Sequence, residues 1–398
     1  MNNNHIQSLL DNYKTGFSLE QPFYTSAEIF ECEWQHIFKK HWLYAGSLAQ
    51  IKKPGDYFLY HLQNEAIIII RGNNGEVYAH YNTCRHRGSA ICMQDKGSMS
   101  KLICPYHQWV YDKDGTLLNA RMMPNDFCKS DYGLHSVHVQ VVEGLIFISF
   151  KEVPPDFSSI RKSLSPYLAV YKINDAKVAA IKNYRLNANW KLVAENFREC
   201  YHCGGAHPEY CSAVIGANLR EDTNELTNAK QKGWSEKGLE TKLIEVTEGT
   251  TTYAVRYPLR PGVESYSVDR KKISLPMGMH KDHDAGVVGL VNYPNFWMDA
   301  VSDYVWTMRV TPVNAETTDI EFCWLVDANA EEGKDYTTER LTAFWEITGD
   351  QDGKLCENNF TGIKSNAYKP GPYAPVEDQV INFVDWCIGQ MREGLKGS

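Results

Sequence analysis

The sequence lacks the long apolar runs, the basic surplus and the N-terminal leader that mark several large classes of protein. Its longest apolar stretch, Ala66–Ile70, is far shorter than the roughly 18 residues of a membrane span, so we expect no membrane contact. The 41 basic and 49 acidic residues leave a net charge of −8, which argues against a nucleic-acid partner. No basic region precedes an apolar stretch at the N-terminus, so we expect a cytoplasmic protein.

The sequence also lacks internal repeats and the glycine-rich phosphate-binding fingerprint of nicotinamide-dependent enzymes. Any NAD(P)H must therefore act through another protein. Eleven cysteines are present, but an odd number in a chain of 398 residues without an export signal argues against a disulfide framework. We expect most of them to be buried thiols, and ask whether a few have the spacing of metal ligands.

The pattern of apolar residues predicts an α+β fold. Helical spacing dominates residues 1–44, and short alternating runs with turn signals make residues 46–150 β-rich. Further helices are predicted at 159–171, 190–203, 337–347, 351–365 and 375–393, and strands at 242–257, 287–298, 303–313 and 317–328. We therefore predict an N-terminal helical segment (1–45), a small all-β domain (46–155) and a domain with helices on an antiparallel sheet (156–398).

Two cysteine–histidine pairs lie in the all-β domain, Cys84 with His86 and Cys104 with His107. Because each arm carries one residue of each type, one iron can collect both thiolates and a second iron both imidazoles. This is the Rieske arrangement of a [2Fe–2S] cluster. A zinc clip is the alternative, although zinc fingers usually place two cysteines on one arm and two histidines on the other. Four unrelated buried residues are the remaining interpretation.

A second set of candidate ligands lies in the predicted helix 190–203. Glu195, Glu199 and His202 fall at i, i+4 and i+7 on one stripe, and Gly204-Gly205 is expected to end the helix so that His207 folds back. Two imidazoles and one carboxylate on one face of Fe(II) form the triad of non-haem oxygenases.

The third ligand must come from elsewhere in the chain. We predict Asp352, on a helix after a glycine break, with Asp350 as the runner-up. Structural histidines would explain the spacing as well, and a zinc hydrolase with Glu199 as general base is a further alternative.

Together, these motifs resemble the α subunit of Rieske non-haem iron oxygenases, also called ring-hydroxylating oxygenases. The stretches C-R-H-R-G and C-P-Y-H-Q-W fit the cluster-binding loops, and E-x3-E-x2-H-x4-H fits the iron motif. The resemblance implies a cluster on Cys84, His86, Cys104 and His107 and an iron on His202, His207 and Asp352. It also places Glu195 and Asn196 among the catalytic residues, and favours Asp352 over Asp350 because D-x2-L-C-E fits the family's ligand helix.

The resemblance further implies a homotrimer that receives electrons from NAD(P)H through a flavin and iron–sulfur reductase. In the family, an aspartate three residues before the first histidine bridges a cluster histidine of the neighbouring subunit and an iron histidine of its own. Here that position is Glu199, and the longer side chain requires a changed backbone or a bent rotamer. Because the carboxylate is kept, we expect the bridge to survive.

The glutamate bridge and the segments around 195–210 and 369–379 resemble the branch that oxidises quaternary ammonium compounds such as glycine betaine, carnitine and stachydrine. With O2, such substrates lose a methyl group or break a C–N bond. Aromatic faces hold an ammonium head, and the candidate pocket residues are Tyr201, Tyr293, Trp297 and Tyr304. An aromatic-ring hydroxylating dioxygenase shares every metal ligand and is the alternative; a bare electron-transfer module would need only the cluster.

Overall fold

The computed structural model describes residues 3–217, 223–247, 249–281 and 284–396. The α-helices in these ranges are α1 (Asn3–Asn12), α2 (Pro22–Thr25), α3 (Ala27–Glu33), α4 (Ser158–Leu168), α5 (Trp190–Asn196), α6 (Cys203–Ala206), α7 (Pro208–Ala213), α8 (Asn224–Glu236), α9 (Thr338–Ile363) and α10 (Asp378–Lys396). A π-helical turn, Trp34–Phe38, continues α3. No helix within these ranges combines the length and apolarity that crossing a bilayer requires.

The strands form four antiparallel sheets. In chain order they are β1 (Leu43–Ser47), β2 (Asp56–Leu62), β3 (Glu65–Arg71), β4 (Val77–Tyr81), β5 (Lys96–Ser98), β6 (Leu102–Ile103), β7 (Val110–Tyr111), β8 (Leu117–Asn119), β9 (His138–Val142), β10 (Leu145–Ser149), β11 (Lys177–Leu186), β12 (Thr252–Tyr257), β13 (Val287–Asn292), β14 (Phe296–Ala300), β15 (Val305–Asn314) and β16 (Thr317–Val326). The sheet orders are β4-β3-β2-β5, β6-β7-β8, β1-β10-β9 and β11-β16-β15-β14-β13-β12. The predicted α+β fold is confirmed.

The six-stranded sheet forms the centre of the larger half, and alternate residues face opposite sides of it. On one side, residues such as Trp306 and Trp324 share a hydrophobic core with α5, α9 and α10. On the other, residues such as Val305 and Leu325 pack with α4 and β10. The sheet is therefore covered on both faces, and the face towards α5 and α9 carries the candidate site.

Several predicted elements differ from the structure. The strand predicted over 242–257 is confined to β12, and residue 248 lies outside the described residues. The prediction over 287–298 is a hairpin of β13 and β14, whereas β11 and α8 were missed. The boundary predicted between residues 45 and 46 falls inside β1, which pairs with β10. The threefold division stays a prediction, and its terminal residues 1, 2, 397 and 398 lie outside the described residues.

The two helices predicted at 337–347 and 351–365 are one helix, α9, so the glycine break proposed before Asp352 is wrong. Gly349 has another purpose. A Cβ atom at this position would lie 2.7 Å from the Phe322 ring on β16, so glycine allows the helix to approach the sheet closely. Asp352 is consequently held on a continuous helix packed against the sheet.

Asn189 fixes the start of α5, the helix that leads into the histidine segment. Its side-chain oxygen accepts a hydrogen bond from the Lys191 N–H at 3.0 Å, and its amide nitrogen donates to the carbonyls of Tyr24 (3.1 Å) and Ala315 (2.7 Å). We expect Asn189→Ala to lower the free energy of unfolding by about 2 kcal/mol, because a cap is lost and buried groups are left unpaired. Denaturant unfolding tests this; the exposed Asn329→Ala should change stability by less than about 0.5 kcal/mol.

Candidate metal centres and substrate cavity

The two cysteine–histidine loops lie side by side, between β4 and β5 and between β6 and β7. Cys84 and Cys104 are buried, whereas His86 is exposed and His107 is partly exposed. The two imidazole rings are 4.5 Å apart, and His86 stacks on Trp109 at 4.9 Å. The structure thus brings the four predicted residues together, with the thiols inside and the imidazoles towards the surface.

The thiols of Cys84 and Cys104 lie in a buried setting with a tyrosine hydroxyl beside one of them. The Tyr111 hydroxyl lies 3.2 Å from the Cys84 sulfur. Burial raises the pKa of the Cys84 thiol, and neighbouring Cys104 raises it further, while the Tyr111 hydroxyl lowers it. A cluster iron would replace these thiol protons. Two facing thiols and two facing imidazoles are a suitable ligand set for the cluster.

The segment after α5 differs from the predicted helix over 190–203. The helix ends at Asn196, and Gly204-Gly205 lies inside α6 and does not terminate the preceding helix. Glu199 explains the break, because its carboxylate accepts hydrogen bonds from the backbone N–H groups of Tyr201 and His202. Such local bonds compete with helical ones. The predicted stripe of Glu195, Glu199 and His202 on one helix is therefore wrong, and the three residues meet through a turn.

Despite this, His202, His207 and Asp352 converge on one point. Nε2 of His202 lies 3.1 Å from Nε2 of His207. Oδ1 of Asp352 lies 3.2 Å from the first nitrogen and 2.9 Å from the second. Two ligand atoms bound at right angles about 2.1 Å from one ion lie about 3.0 Å apart, so these three atoms fit one face of an octahedral metal. Asp350, two residues earlier on α9, is exposed, whereas Asp352 is buried.

The charges of this site match a cation. Burial lowers the pKa of His202, but hydrogen bonds with Asp352 and Glu199 outweigh it and raise the value to about 9. Burial raises the pKa of Asp352, yet its hydrogen bonds with the two histidines lower it overall. A buried carboxylate between two imidazoles favours positive charge at the point where they meet, and a metal ion would replace the protons.

Second contacts orient both imidazoles. Nδ1 of His202 lies 2.5 Å from Oε1 of Glu199, and Nδ1 of His207 lies 2.7 Å from Oε1 of Gln351. With each Nδ1–H donating outward, each Nε2 offers its lone pair to the shared site. Gln351 was missed by the sequence interpretation, although its position beside Asp352 is a signal that could have found it. Asn196 is nearby, with its amide nitrogen 3.5 Å from Nε2 of His202.

Glu195 lies deeper, at the end of a polar cleft that reaches Glu199 and His202. Its carboxyl accepts hydrogen bonds from the hydroxyls of Tyr24 (3.2 Å) and Tyr373 (3.1 Å). Burial raises the pKa of Glu195 to about 7. The structure thus places this predicted residue behind the histidines and not among the converging atoms.

Two cysteines beside the histidines are not free thiols. Cys200 and Cys203 form a disulfide that flanks His202, so these two depart from the expectation that most of the cysteines are buried thiols. The Cys203 sulfur lies close to the two imidazoles, but a disulfide sulfur is not a thiolate ligand. The turn at 200–203 brings the two Cα atoms within 4.8 Å, a proximity that a predicted continuous helix did not suggest.

A cavity of about 310 Å³ lies beside the converging side chains. Of the four predicted pocket residues, Tyr293 and Trp297 line it. Tyr201 is 63% exposed and Tyr304 is buried elsewhere, donating to the Tyr266 carbonyl, so neither of these two residues is among those that line this cavity. Lining residues that the prediction missed include Phe197, Arg198, Tyr210, Tyr253, Tyr257 and Asp299. The alternation of β12 and β14 was the signal for several of them.

Two family profiles match this chain. Residues 41–140 match the Rieske [2Fe-2S] domain, and residues 173–393 match the ring hydroxylating alpha subunit (catalytic domain). The chain belongs to the ring-hydroxylating oxygenase α-subunit family. It is a Rieske-type oxygenase component, and its two domains imply a [2Fe–2S] cluster and a mononuclear non-haem iron supplied with electrons from NAD(P)H through a reductase.

This Rieske oxygenase is similar to several proteins of named activity. The glycine betaine monooxygenase oxygenase subunit of Pseudomonas aeruginosa is 39% identical over 388 residues, covering 95% of this chain and 90% of that protein. The carnitine monooxygenase oxygenase subunit of Acinetobacter baumannii is 32% identical over 209 residues, covering 51% and 56%. The crystal structure of the quaternary ammonium Rieske monooxygenase CntA has the same fold, with a TM-score of 0.76 at 23% identity over 97% of this chain and 98% of that one.

Proposed function

We propose that this Rieske oxygenase removes a methyl group from, or cleaves a C–N bond in, a quaternary ammonium compound of the betaine type. The observation that carries the proposal is the cavity beside His202 and His207, whose wall is rich in tyrosine and tryptophan rings. Aromatic faces attract an alkylated ammonium, which has no N–H to donate. The relative that shares 39% identity over nearly the whole chain is named for such a substrate.

The ligand sets follow from the two convergent groups. Cys84, His86, Cys104 and His107 would hold the cluster, whose thiolate side is buried and whose histidine side is exposed. His202, His207 and Asp352 would hold the iron through the three atoms that meet within 3.2 Å. When bound, the cluster supplies single electrons, and the iron supplies O2 activation and hydroxylation of a carbon next to nitrogen.

The stoichiometry of the reaction shows which substrates the protein takes up and which products it releases. Substrate, O2, two electrons and two protons give a hydroxymethyl ammonium and water. That hemiaminal then loses the aldehyde and one proton, which leaves the tertiary amine. The carboxyl of Glu195, whose pKa is about 7, can hold or release a proton at neutral pH and lies on the cleft that reaches His202. Asn196, Phe197 and Trp297 line the small cavity at the histidines.

We also propose that three copies assemble head to tail, with Glu199 as the link between subunits. Glu199 bonds His202, and the exposed His86 offers a histidine to a neighbouring chain. A heterologous contact of this kind closes into a ring of three when each copy is rotated by a third of a full turn from the last. The bend that the longer glutamate requires is provided by the turn at 199–202, where its carboxylate caps two backbone N–H groups.

The cluster assignment has a direct spectroscopic test. Purified protein should be red-brown and should give a rhombic EPR signal after reduction, because one iron has two neutral imidazole ligands and the other two thiolates. Cys84→Ser should abolish both the colour and the signal, whereas Cys128→Ser, at an exposed free thiol, should change neither. A colourless protein that contains only zinc would contradict the assignment.

A substrate panel with a surrogate reductase tests the proposed function as a whole. Glycine betaine, carnitine and stachydrine are scored for aldehyde and amine release, and monocyclic aromatics are scored for ring hydroxylation. We expect aldehyde release with at least one quaternary ammonium compound and no hydroxylated arene. Hydroxylation of arenes without any aldehyde release would instead establish the aromatic-ring dioxygenase.

A further inference from the structure

A buried carboxylate, Asp299 on β14, lies between the substrate cavity and the converging histidines. It is 5% exposed, and it lines both the larger cavity and the small one that contains His202, His207 and Asp352. A group held at Asp299 would therefore lie beside the iron ligands. The proposed chemistry of the metal site makes no use of this side chain.

The sheet places Asp299 under aromatic rings. Its Oδ1 accepts a hydrogen bond from the Tyr257 hydroxyl at 2.8 Å, and its Oδ2 accepts one from Nε1 of Trp297 at 2.8 Å. Alternate residues of three neighbouring strands face the cavity, and Gly289 on β13 pairs with Asp299 in register. A Cβ at Gly289 would lie 3.3 Å from the Tyr257 ring. The glycine leaves room for that ring beside the carboxylate.

Asp299 has no cationic partner within the described part of the chain, where its hydrogen-bond partners are the neutral groups of Tyr257 and Trp297. Burial raises the pKa of Asp299 to about 6, although both hydrogen bonds lower it. The group is thus largely ionised at neutral pH. Burying an unpaired carboxylate is unfavourable, so this arrangement is best explained by a cation that arrives with a ligand.

The charges along the cavity give the ligand a direction. Glu199, the other acid in the lining, is already bonded to His202 and to backbone N–H groups. Arg198 is the one basic side chain among the described lining residues, and its guanidinium lies 4.7 Å from the Tyr293 ring. An ammonium is repelled from Arg198 and attracted to Asp299, whereas a carboxylate has the opposite preference.

We propose that Asp299, with the rings of Tyr257 and Trp297, binds the quaternary ammonium head of the substrate and directs its methyl groups towards the iron ligands. The carboxylate of a betaine then points to the Arg198 side. This inference rests on the proposed function and adds to it the residue that selects a positive head group. In this orientation the N-methyl end of the betaine, and not its carboxylate end, faces the metal site.

Two other roles for Asp299 give different results in the same experiment. If Asp299 only accepts the hydrogen bonds of Tyr257 and Trp297, its substitution should weaken the binding of all ligands equally. If Asp299 donates a proton during the reaction, its substitution should lower the turnover rate. The affinities for charged and neutral ligands should both stay unchanged. Binding, measured without turnover, separates the three.

The test compares glycine betaine with 3,3-dimethylbutanoate, in which carbon replaces the ammonium nitrogen at nearly the same size. Dissociation constants are measured by calorimetry on the holoenzyme without reductase. Wild type should bind the betaine at least about 30-fold more tightly than the neutral-headed compound, as expected for a buried charge pair. Asp299→Asn should weaken betaine binding about 30-fold and change the other constant by less than about 3-fold.

Asp299→Glu, which keeps the charge, serves as the matched variant and should retain the preference for the cation even if both ligands bind less tightly. The cluster absorbance and thermal unfolding check that each variant is folded. If Asp299→Asn does not fold, Tyr257→Phe takes its place. It keeps the ring and removes one hydrogen bond to the carboxylate, so the preference for the cation should persist.

Equal weakening of both ligands in Asp299→Asn, or an unchanged ratio, would overturn the inference, and so would loss of the preference in Asp299→Glu or Tyr257→Phe. These outcomes are distinct from failure of the proposed function. If wild type demethylates quaternary ammonium compounds while the ratio does not depend on Asp299, only the inference fails. If wild type neither binds nor oxidises any of them, the proposed function fails first.

Discussion

Asp352→Ala should lose the mononuclear iron, keep the cluster, and retain less than about 0.1% of the oxygenase activity, because the metal supplies the hard chemistry. The Asp352 carboxylate is the one negatively charged group among the three converging atoms and lies 2.9 and 3.2 Å from the imidazole nitrogens. Without it, two neutral imidazoles face a cation alone. Metal analysis together with the visible spectrum measures both sites in one sample.

Asp350→Ala is the matched control, since Asp350 lies on the same helix but is exposed. It should keep both metals and full activity. Gln351→Leu should give an intermediate loss of iron affinity of about 10-fold, because Gln351 only orients His207. Unchanged iron content in Asp352→Ala, or loss of iron in Asp350→Ala, would move the ligand to a different residue.

Glu199→Gln should slow electron delivery at least about 100-fold while leaving both metals bound, because the oriented, charged hydrogen bond to His202 is weakened. Single-turnover experiments on pre-reduced enzyme measure this step separately from substrate binding. Glu199→Asp keeps the charge and should recover part of the rate. The exposed Glu236→Gln should not change the rate. Normal single-turnover kinetics in Glu199→Gln would refute the bridge between subunits.

Sequence patterns predicted the converging side chains better than the helices and turns that carry them. His202 and His207 were placed on a helix and its end, whereas the structure has a turn between α5 and two short helices. The periodicity of the apolar residues continues through Phe197 and Tyr201, so it could not reveal that Glu199 takes two backbone N–H groups for itself. The three predicted side chains still converge, because their prediction rested on side-chain chemistry and not on helical geometry.

The residues of the cavity, in contrast, could not be predicted from their chemistry alone. Tyr201 and Trp297 were equally plausible from composition, yet one is 63% exposed and the other lines the cavity. Asp299 is a single acid in a strand, and no sequence pattern marks it as a binding residue. Its proposed role depends on the hydrogen bond from Tyr257, which is distant in the chain. The pairing of β12, β13 and β14 brings the two side chains together.

By itself, the sequence identified the oxygenase family and predicted the two sets of metal ligands, because soft thiolates and paired imidazoles at fixed spacing are chemically specific wherever the backbone puts them. The tertiary structure alone decided that a turn and not one continuous helix carries Glu199 and His202, that Cys200 pairs with Cys203, and that Asp299 lies between the cavity and the converging histidines. The first two depend on how the backbone turns after α5, and the third depends on contacts between residues that are distant in the chain. A local pattern does not encode either of them.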